Sequence, residues 1–401
     1  MNYIKLIQKR VNEYRESKHL SDDPLVADLQ KALELDRVLE NLDERILYSK
    51  DESVFEGGIA GPVCFPLTTE EVQAIMKIAE KHDRHVIPRG AGSGLAGGAI
   101  PLGAPIVIAM TKMNNILEVD TDNRIAWVEP GVINLELSDY LKSFGFHYAP
   151  DPSSQQICTL GGNVANNSGG PHCLADGVTD THVLALEVVL PNGEVTIFGG
   201  LDAEPAGLDL RGAFIGSEGT LGITTKIAVR LTPNPDDVQT LLISFPSMRK
   251  AAETVSAIIA DGIVPAAMEA MDQKTIEVIE KHIPSGYPTD AGAVLLVEVE
   301  GLPDGVEIEA LRIGEIAENH DASDIKIAQT SYQRDALWKG RKSAFGASTY
   351  LAPNYYLHDT VVPRSELADV LDKVNALAEE NNLTIMNVFH AGDGNLHPLL
   401  V

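Results

Sequence analysis

The run Pro88-Arg89-Gly90-Ala91-Gly92-Ser93-Gly94-Leu95-Ala96-Gly97-Gly98 constrains this chain more than any other segment. It carries five glycines in nine residues, straight after the apolar His85-Val86-Ile87. Glycine permits φ > 0 and lets a ligand approach the bare backbone. Successive N–H groups in such a loop form an anion-binding concavity, so the expected ligand is a phosphate or a pyrophosphate. Gly92-Ser93-Gly94-Leu95-Ala96-Gly97 also fits the G-x-G-x-x-G fingerprint, which requires a helix directly after the loop. Here Ala99-Ile100-Pro101-Leu102-Gly103-Ala104-Pro105 follows, and its two prolines and glycine forbid that helix. The next element, Ile106-Val107-Ile108, reads as a strand, so the loop joins strand to strand and the Rossmann reading fails. A glycine-rich surface turn is the competing reading.

Two more polar, glycine-rich stretches argue for a large ligand. Pro150-Asp151-Pro152-Ser153-Ser154 leads to Thr159-Leu160-Gly161-Gly162-Asn163, then Asn166-Asn167-Ser168-Gly169-Gly170. Gly216-Ser217-Glu218-Gly219-Thr220-Leu221-Gly222-Ile223 is the third. Three such loops suit a long ligand lying across one domain, with many backbone donors.

The rest of the composition narrows the class. A chain of 401 residues exceeds what one hydrophobic core serves, so two or more domains are expected. Its net charge of −27 disfavours nucleic acid and anionic membrane surfaces, which need clustered Lys and Arg. Cys64, Cys158 and Cys173 are odd in number and form no Cys-x-x-Cys, which points to reduced thiols in a cytoplasm. Three scattered cysteines are also too few for a self-contained iron–sulfur cluster. The N-terminal Met1-Asn2-Tyr3-Ile4-Lys5 lacks an apolar signal core, and no apolar run approaches the ~20 residues of a membrane span.

Residues 3–50 are charged and helix-patterned, with Asp22-Asp23-Pro24 as a helix start. Thr68 and Glu71 fit a capping box. Short strands follow at Ile106–Ala109, Ile116–Val119 and Ile125–Glu129, then a helix over Leu135–Phe144 capped by Asn134. Strands Val183–Leu190 and Val195–Phe198 are joined by the turn Pro191-Asn192-Gly193-Glu194. Pro233-Asn234-Pro235 marks a domain boundary, and strands alternate with helices beyond it. That alternation suggests one sheet with helices on one face. The expected division is a helical segment over 1–50, a cofactor domain over 51–234 and a substrate domain over 235–401.

The reactive end is Phe389-His390-Ala391-Gly392-Asp393-Gly394-Asn395-Leu396-His397, two histidines seven apart around a Gly-Asp-Gly turn. A divalent metal on two imidazoles, or a histidine general base, suits this pattern. Two surface histidines beside a turn are the competing reading.

Four motifs in this order, PRGAGSGLAGGAIP, PDPSS, TLGGNVANNSGG and IGSEGTLGI, resemble the FAD-binding domain of the vanillyl-alcohol-oxidase (PCMH-type) flavoproteins. The similarity is to the branch of glycolate oxidase GlcD subunits and D-lactate dehydrogenases, from about residue 40 onward. The resemblance implies an α+β chain: a two-subdomain FAD-binding domain plus a cap domain with an antiparallel sheet covered by helices. It implies FAD-dependent oxidation of a small 2-hydroxy acid to the 2-oxo acid. An FAD-binding but non-catalytic subunit of such a complex is the alternative.

Carried over residue by residue, Pro88, Arg89, Gly90, Ala91, Gly92, Ser93, Gly94 and Leu95 would hold the FAD pyrophosphate. Pro150, Asp151, Ser153, Thr159, Gly161, Gly162, Asn163, Ser168 and Gly169 would line the flavin and its ribityl-phosphate arm. Gly222 and Ile223 would lie toward the adenine. Some relatives tether FAD through a histidine where this chain has Ser93, so the FAD is expected to be non-covalent; His172 is the alternative tether.

Leu337-Trp338-Lys339-Gly340-Arg341 resembles the family's L-W-x-x-R, in which the arginine, here Arg341, would clamp the substrate carboxylate. A solvated arginine on an exposed helix is the competing reading. His390 and His397 would hold a divalent metal such as Zn or Fe, or contact the substrate hydroxyl, with Asn395 between them. His358 either points at the pocket or lies on a strand surface. The reduced flavin would pass electrons to an iron–sulfur protein or an electron-transfer flavoprotein, a quinone or oxygen. The expected setting is cytoplasmic, or peripheral to the inner membrane face through a partner. Family members continue for tens of residues past the point matching Val401, so the chain reads as a C-terminal truncation lacking a third metal-ligand glutamate. In that case Thr384–Val401 would be an underpaired, exposed strand.

Overall fold

The computed structural model describes Leu20, residues 23–201 and residues 207–401. The helix pattern expected before Leu20, and Asp22, lie outside the described residues. The chain divides into two compact units. One spans residues 1–169 and 178–233; the other spans residues 170–177 and 234–401.

The first unit holds two sheets. In the smaller, the strands Val38–Leu39, Val63–Cys64, Ile106–Ala109 and Val86–Arg89 lie side by side in that order. Val86–Arg89 and Ile106–Ala109 pair in parallel, with Val86 opposite Ile106. The glycine loop is therefore a crossover between parallel neighbours, made without a helix, as its prolines require. The helices Pro24–Leu33 and Thr69–Lys81 cover this sheet with Leu25, Leu29, Val72 and Ile75. Asp23 caps the first through Leu25 N at 3.0 Å. Thr68 caps the second through Glu71 N at 3.3 Å, while Glu71 accepts from Leu67 N at 2.7 Å and from Arg37 at 2.5 Å.

The larger sheet is antiparallel, in the order Ile116–Asp120, Ile125–Val128, Ile223–Arg230, Val183–Val189, Val195–Gly199. Its core takes Val128, Leu186, Ile227 and Val229. The helix expected to be capped by Asn134 begins at Asn134 itself, with Ile133 at the cap position. Asn134 is drawn away from capping because its amide is buried and bonded elsewhere, to Pro150 O and Asn163 Oδ1.

In the second unit one antiparallel sheet runs Asp324–Ile327, Asp237–Phe245, Ala293–Gly301, Ala267–Asp272, Ile385–His390, Asn395–Leu396, Thr360–Val361. Helices cover both of its faces, not one. Leu241, Ile243, Phe245, Leu295 and Val297 face Met248–Ala260, Pro303–Asn319 and Leu367–Glu380. Leu242, Met271, Val294 and Leu296 face Gln273–His282, Ser331–Lys342 and Ala344–Ser348. The central strands are apolar at consecutive positions, as burial on both faces demands. Ile385–His390 is an interior strand, paired with Ala267–Asp272 on one side and with Pro398–Leu400 and Asn395 on the other. The expected underpaired edge is therefore absent at these residues, because the chain turns at Gly394 and pairs back. Among the described residues no helix is long and apolar enough to cross a membrane.

Candidate active site and cofactor cradle

In the first unit the three glycine-rich loops converge. A Cβ on Gly90 would overlap Thr159 Oγ1, and one on Gly219 would overlap the Pro88 ring. A Cβ on Gly98 would stand 3.2 Å from Glu218 Oε2. The third loop is also tied to the second through Gly216 N to Val164 O at 2.9 Å and Glu218 N to Ala165 O at 2.8 Å. Glycine is thus required at Gly90, which meets a buried hydroxyl, and at Gly219, which meets a rigid ring. Gly94 differs: a Cβ there would meet nothing within 4 Å. The N–H groups from Gly92 to Ala96 donate to no acceptor among the described residues. An open arch of free donors remains on one side of a tightly crossed base, which fits a pyrophosphate.

Arg89 is buried beneath this arch, with its guanidinium carbon 5.6 Å from the Tyr48 ring centroid and Nη1 3.4 Å from Ala99 O. Burial pushes its pKa below the usual arginine range, a penalty that a phosphate above it would offset.

Thr159 caps the helix Leu160–Asn166 through Gly162 N at 3.3 Å, and Gly161 passes against Pro130. Asn163 is buried, and its Oδ1 accepts from Asn134 Nδ2 at 3.0 Å. The same Nδ2 donates to Pro150 O at 2.9 Å, so one amide joins the Pro150 turn to the Asn163 helix. Ser168 O accepts from Thr179 Oγ1 at 2.7 Å. Ile223 lies in the apolar core with Ile75 and Ile108, and Gly222 packs against Val188. Asp151, Ser153 and Ser93 are half-buried, and Gly169 lies in the same stretch as Ser168.

In the second unit a polar row crosses one otherwise apolar sheet face. Register pairs Thr240 with Glu298, and Glu269 with His390, on adjacent strands of that face. Glu269 is fully buried, and its Oε1 lies 2.7 Å from His390 Nδ1. Its Oε2 is in ion-pair contact with Arg341 Nη2, and Arg341 is fully buried too. Arg341 is therefore not the solvated surface residue of the competing reading. Its Nε and Nη1 have no hydrogen-bond partner among the described residues.

His390 and His397 come together with ring centroids 5.0 Å apart and planes near perpendicular. His397 Nε2 lies 3.6 Å from Asp359 Oδ1, while its Nδ1 is buried without a partner, as is Asn395 Oδ1. Burial lowers the His397 pKa and outweighs the opposing pull of Asp359, so this imidazole is neutral at physiological pH. His397 in turn holds the Asp359 carboxyl below its ordinary value. His358 is exposed against Tyr356, on the strand surface.

Sequence reasoning did not single out Glu269 or Glu298. Glu298 is buried and accepts from Trp338 Nε1 at 2.7 Å and from Thr240 Oγ1, with His172 Nε2 at 3.4 Å. The signal for both was an acid set within a run of apolar strand residues, since a buried charge requires partners. Among the described residues no group of three or more His, Cys, Asp or Glu could hold a metal ion.

Two family models match these units. The FAD binding domain matches residues 61–199, and the C-terminal domain of FAD linked oxidases matches residues 234–401. The chain belongs to the FAD-linked oxidases, and its cofactor is FAD. Within that family it is 42% identical to the glycolate oxidase subunit GlcD of Escherichia coli K12, over 84% of this chain and 68% of that protein. It is 43% identical to the GlcD subunit of Bacillus subtilis, over 90% and 77%. The D-lactate dehydrogenase of Archaeoglobus fulgidus is 35% identical, over 83% and 73%. Among solved structures, 4-ethylphenol oxidase from Gulosibacter chungangensis superposes with a TM-score of 0.78 at 17% identity, covering 94% of this chain and 81% of that one. p-Cresol methylhydroxylase gives 0.75 at 18%, covering 97% and 82%. At such identities these structures speak for the fold alone, which is that of the PCMH-type flavoproteins.

Proposed function

We propose that the chain oxidises a small 2-hydroxy acid of the glycolate or D-lactate type to the 2-oxo acid, with FAD as the oxidant. The supporting observation is the set of buried, unpartnered polar atoms on one sheet face: Arg341 Nε and Nη1, Asn395 Oδ1 and His397 Nδ1. A 2-hydroxy acid brings a carboxylate and a hydroxyl to such a set. The names of the GlcD and D-lactate dehydrogenase relatives support the same class.

When bound, FAD supplies the two-electron acceptor for the hydrogen on the carbinol carbon. The 88–98 loop would take its pyrophosphate, residues 150–169 would lie along the flavin, and residues 235–401 would serve the substrate. With Ser93 at the family's tether position, the FAD is held non-covalently.

Arg341 offers its unpaired nitrogens to the acid's carboxylate. Its side chain is closed to solvent. Glu269 accepts the Nδ1–H of His390 and so leaves Nε2 as the lone-pair nitrogen. That nitrogen takes the hydroxyl proton while the C–H bond gives up its hydrogen and electron pair, and C–O becomes C=O. His397, kept neutral by burial, and Asn395 orient the hydroxyl. His390 and His397 lack a third metal ligand among the described residues. Reoxidation passes electrons to a partner subunit, an iron–sulfur protein or an electron-transfer flavoprotein, in a cytoplasmic setting.

The test is anaerobic bleaching of the flavin by glycolate, D-lactate, L-lactate and D-2-hydroxyglutarate. Bleaching by glycolate or D-lactate is expected; no bleaching by any of them refutes the reading. Arg341→Lys should raise KM at least tenfold with FAD content unchanged, and loss of FAD would give Arg341 a structural role instead.

A further inference from the structure

Helix Ser331–Lys342 carries Trp338 and Arg341 three residues apart, on one face. Each serves one buried carboxylate on a neighbouring strand: Trp338 Nε1 reaches Glu298, and Arg341 reaches Glu269. Each carboxylate also has one histidine, His172 at Glu298 and His390 at Glu269. Strand order then fixes a sequence across the sheet face. The strand of Glu298 comes first, the strand of Glu269 next, the strand of His390 after it, and Asn395 last. Arg341 therefore stands between two unlike flanks. On one side are imidazoles and unpartnered polar atoms. On the other is the half-buried Trp338 indole, with the His172 ring 5.6 Å from it and tilted by 31°.

We propose that Trp338 and His172 form the wall that receives the carbon substituent of the 2-hydroxy acid, and that they set its size limit. The inference rests on the 2-hydroxy-acid reading above. The carbinol carbon carries a carboxylate, a hydroxyl, a hydrogen and a substituent. With the carboxylate on Arg341, the hydroxyl belongs on the polar flank, where acceptors await it. The substituent then takes the aromatic flank, where an alkyl group loses no hydrogen bond. Glu298 holds both rings from behind through their N–H groups, so the wall is positioned rather than loose. Glycolate has no substituent to meet it, D-lactate presents a methyl, and longer acids collide.

The test compares the full chain with its His172→Ala and Trp338→Phe variants, each loaded with FAD. Flavin reduction is followed with glycolate, D-lactate and D-2-hydroxybutyrate. In parallel, glyoxylate and 2-oxobutyrate are titrated at equilibrium by their perturbation of the flavin spectrum. One methylene in an apolar pocket changes selectivity by roughly 10–200-fold. His172→Ala should therefore raise the kcat/KM ratio of 2-hydroxybutyrate to glycolate at least tenfold, mainly through KM, and tighten 2-oxobutyrate binding relative to glyoxylate. Trp338→Phe keeps the ring but drops the Glu298 bond, and should give a smaller shift in the same direction. If all acids lose rate together and both ratios stay within twofold, the cluster is structural and the proposal is overturned. If no acid bleaches the unmodified protein, the failure lies in the 2-hydroxy-acid reading itself.

Discussion

Glu269 and His390 are register partners on adjacent antiparallel strands, and the glutamate meets the imidazole Nδ1 at 2.7 Å. The pairing ties a charge in the middle of an apolar face to the histidine at the end of its strand. Burying that carboxylate is tolerable only because Arg341, also fully buried, sits on its other oxygen. The histidine, the carboxylate bonded to it and the cation that balances that carboxylate are thus one unit, built from two strands and a helix.

Removing one member of that unit should be costly. Glu269→Ala leaves Arg341 buried and unpaired, and such a break costs about 3–5 kcal/mol. Replacing both, as Glu269→Met with Arg341→Met, removes the charge problem and should recover most of that loss. Urea unfolding of the single and double variants checks this; additive losses in the double variant would contradict it. The FAD-dependent absorbance should survive in both.

Glu298 supplies a pH dependence. Burial alone would raise its pKa, but His172, Thr240 and Trp338 together hold it below the ordinary glutamate value. A carboxyl with a depressed folded pKa adds stability above its unfolded pKa and loses it as pH falls through the folded one. The stability gap between the native chain and Glu298→Gln should therefore be widest near pH ~6 and shrink toward pH ~3. Chemical denaturation across that range measures it, and a gap that widens on acidification would contradict the assignment.

What the sequence made legible follows the range of the forces involved. The glycine loop and its prolines dictated a helix-free crossover, and the parallel Val86–Arg89 and Ile106–Ala109 strands carry it out. Thr68 and Asp23 cap their helices because capping is decided within one turn. Asn134 was misread for the opposite reason. Nothing local announces that its amide is claimed by Pro150 and Asn163, sixteen and twenty-nine residues away. Helices on both faces of the second sheet were missed because alternating elements fix how often helices occur, not which side they pack on. Glu269 and Glu298 stayed invisible while their strands were read as apolar runs, since their partners lie on other strands and on a distant helix.

That same buried amide supports a third prediction. Asn134 Nδ2 joins the Pro150 turn to Asn163 on the next helix, so Asn134→Leu leaves Pro150 O without its donor and Asn163 Oδ1 with only the long contact from Cys158 Sγ at 3.9 Å. The cost should be about 1–3 kcal/mol for each unsatisfied group. Because both acceptors belong to segments assigned to the flavin, FAD release should be faster as well. Thermal unfolding with and without added FAD separates the two effects. A stability loss with an unchanged FAD dissociation rate would mean that the clamp serves the fold alone.

The arch over Arg89 permits the sharpest contrast, because two glycines in the converging loops have opposite surroundings. Gly219 has φ +75°, and a Cβ there would overlap the Pro88 ring, which is rigid. Gly219→Ala should therefore destabilise the fold by about 1–2 kcal/mol from backbone strain alone, and push the third loop off the first. Gly94 has open space where its Cβ would stand and no positive φ. Gly94→Leu should leave the apoprotein's Tm within a degree or two, since nothing in the protein is displaced. Yet the leucine would fill the space above the free N–H groups, so FAD affinity should drop at least tenfold. Titration of apoprotein with FAD by flavin fluorescence, alongside apoprotein melting, resolves the two variants. If Gly94→Leu binds FAD as tightly as the native chain, the arch is a surface turn and the pyrophosphate lies elsewhere.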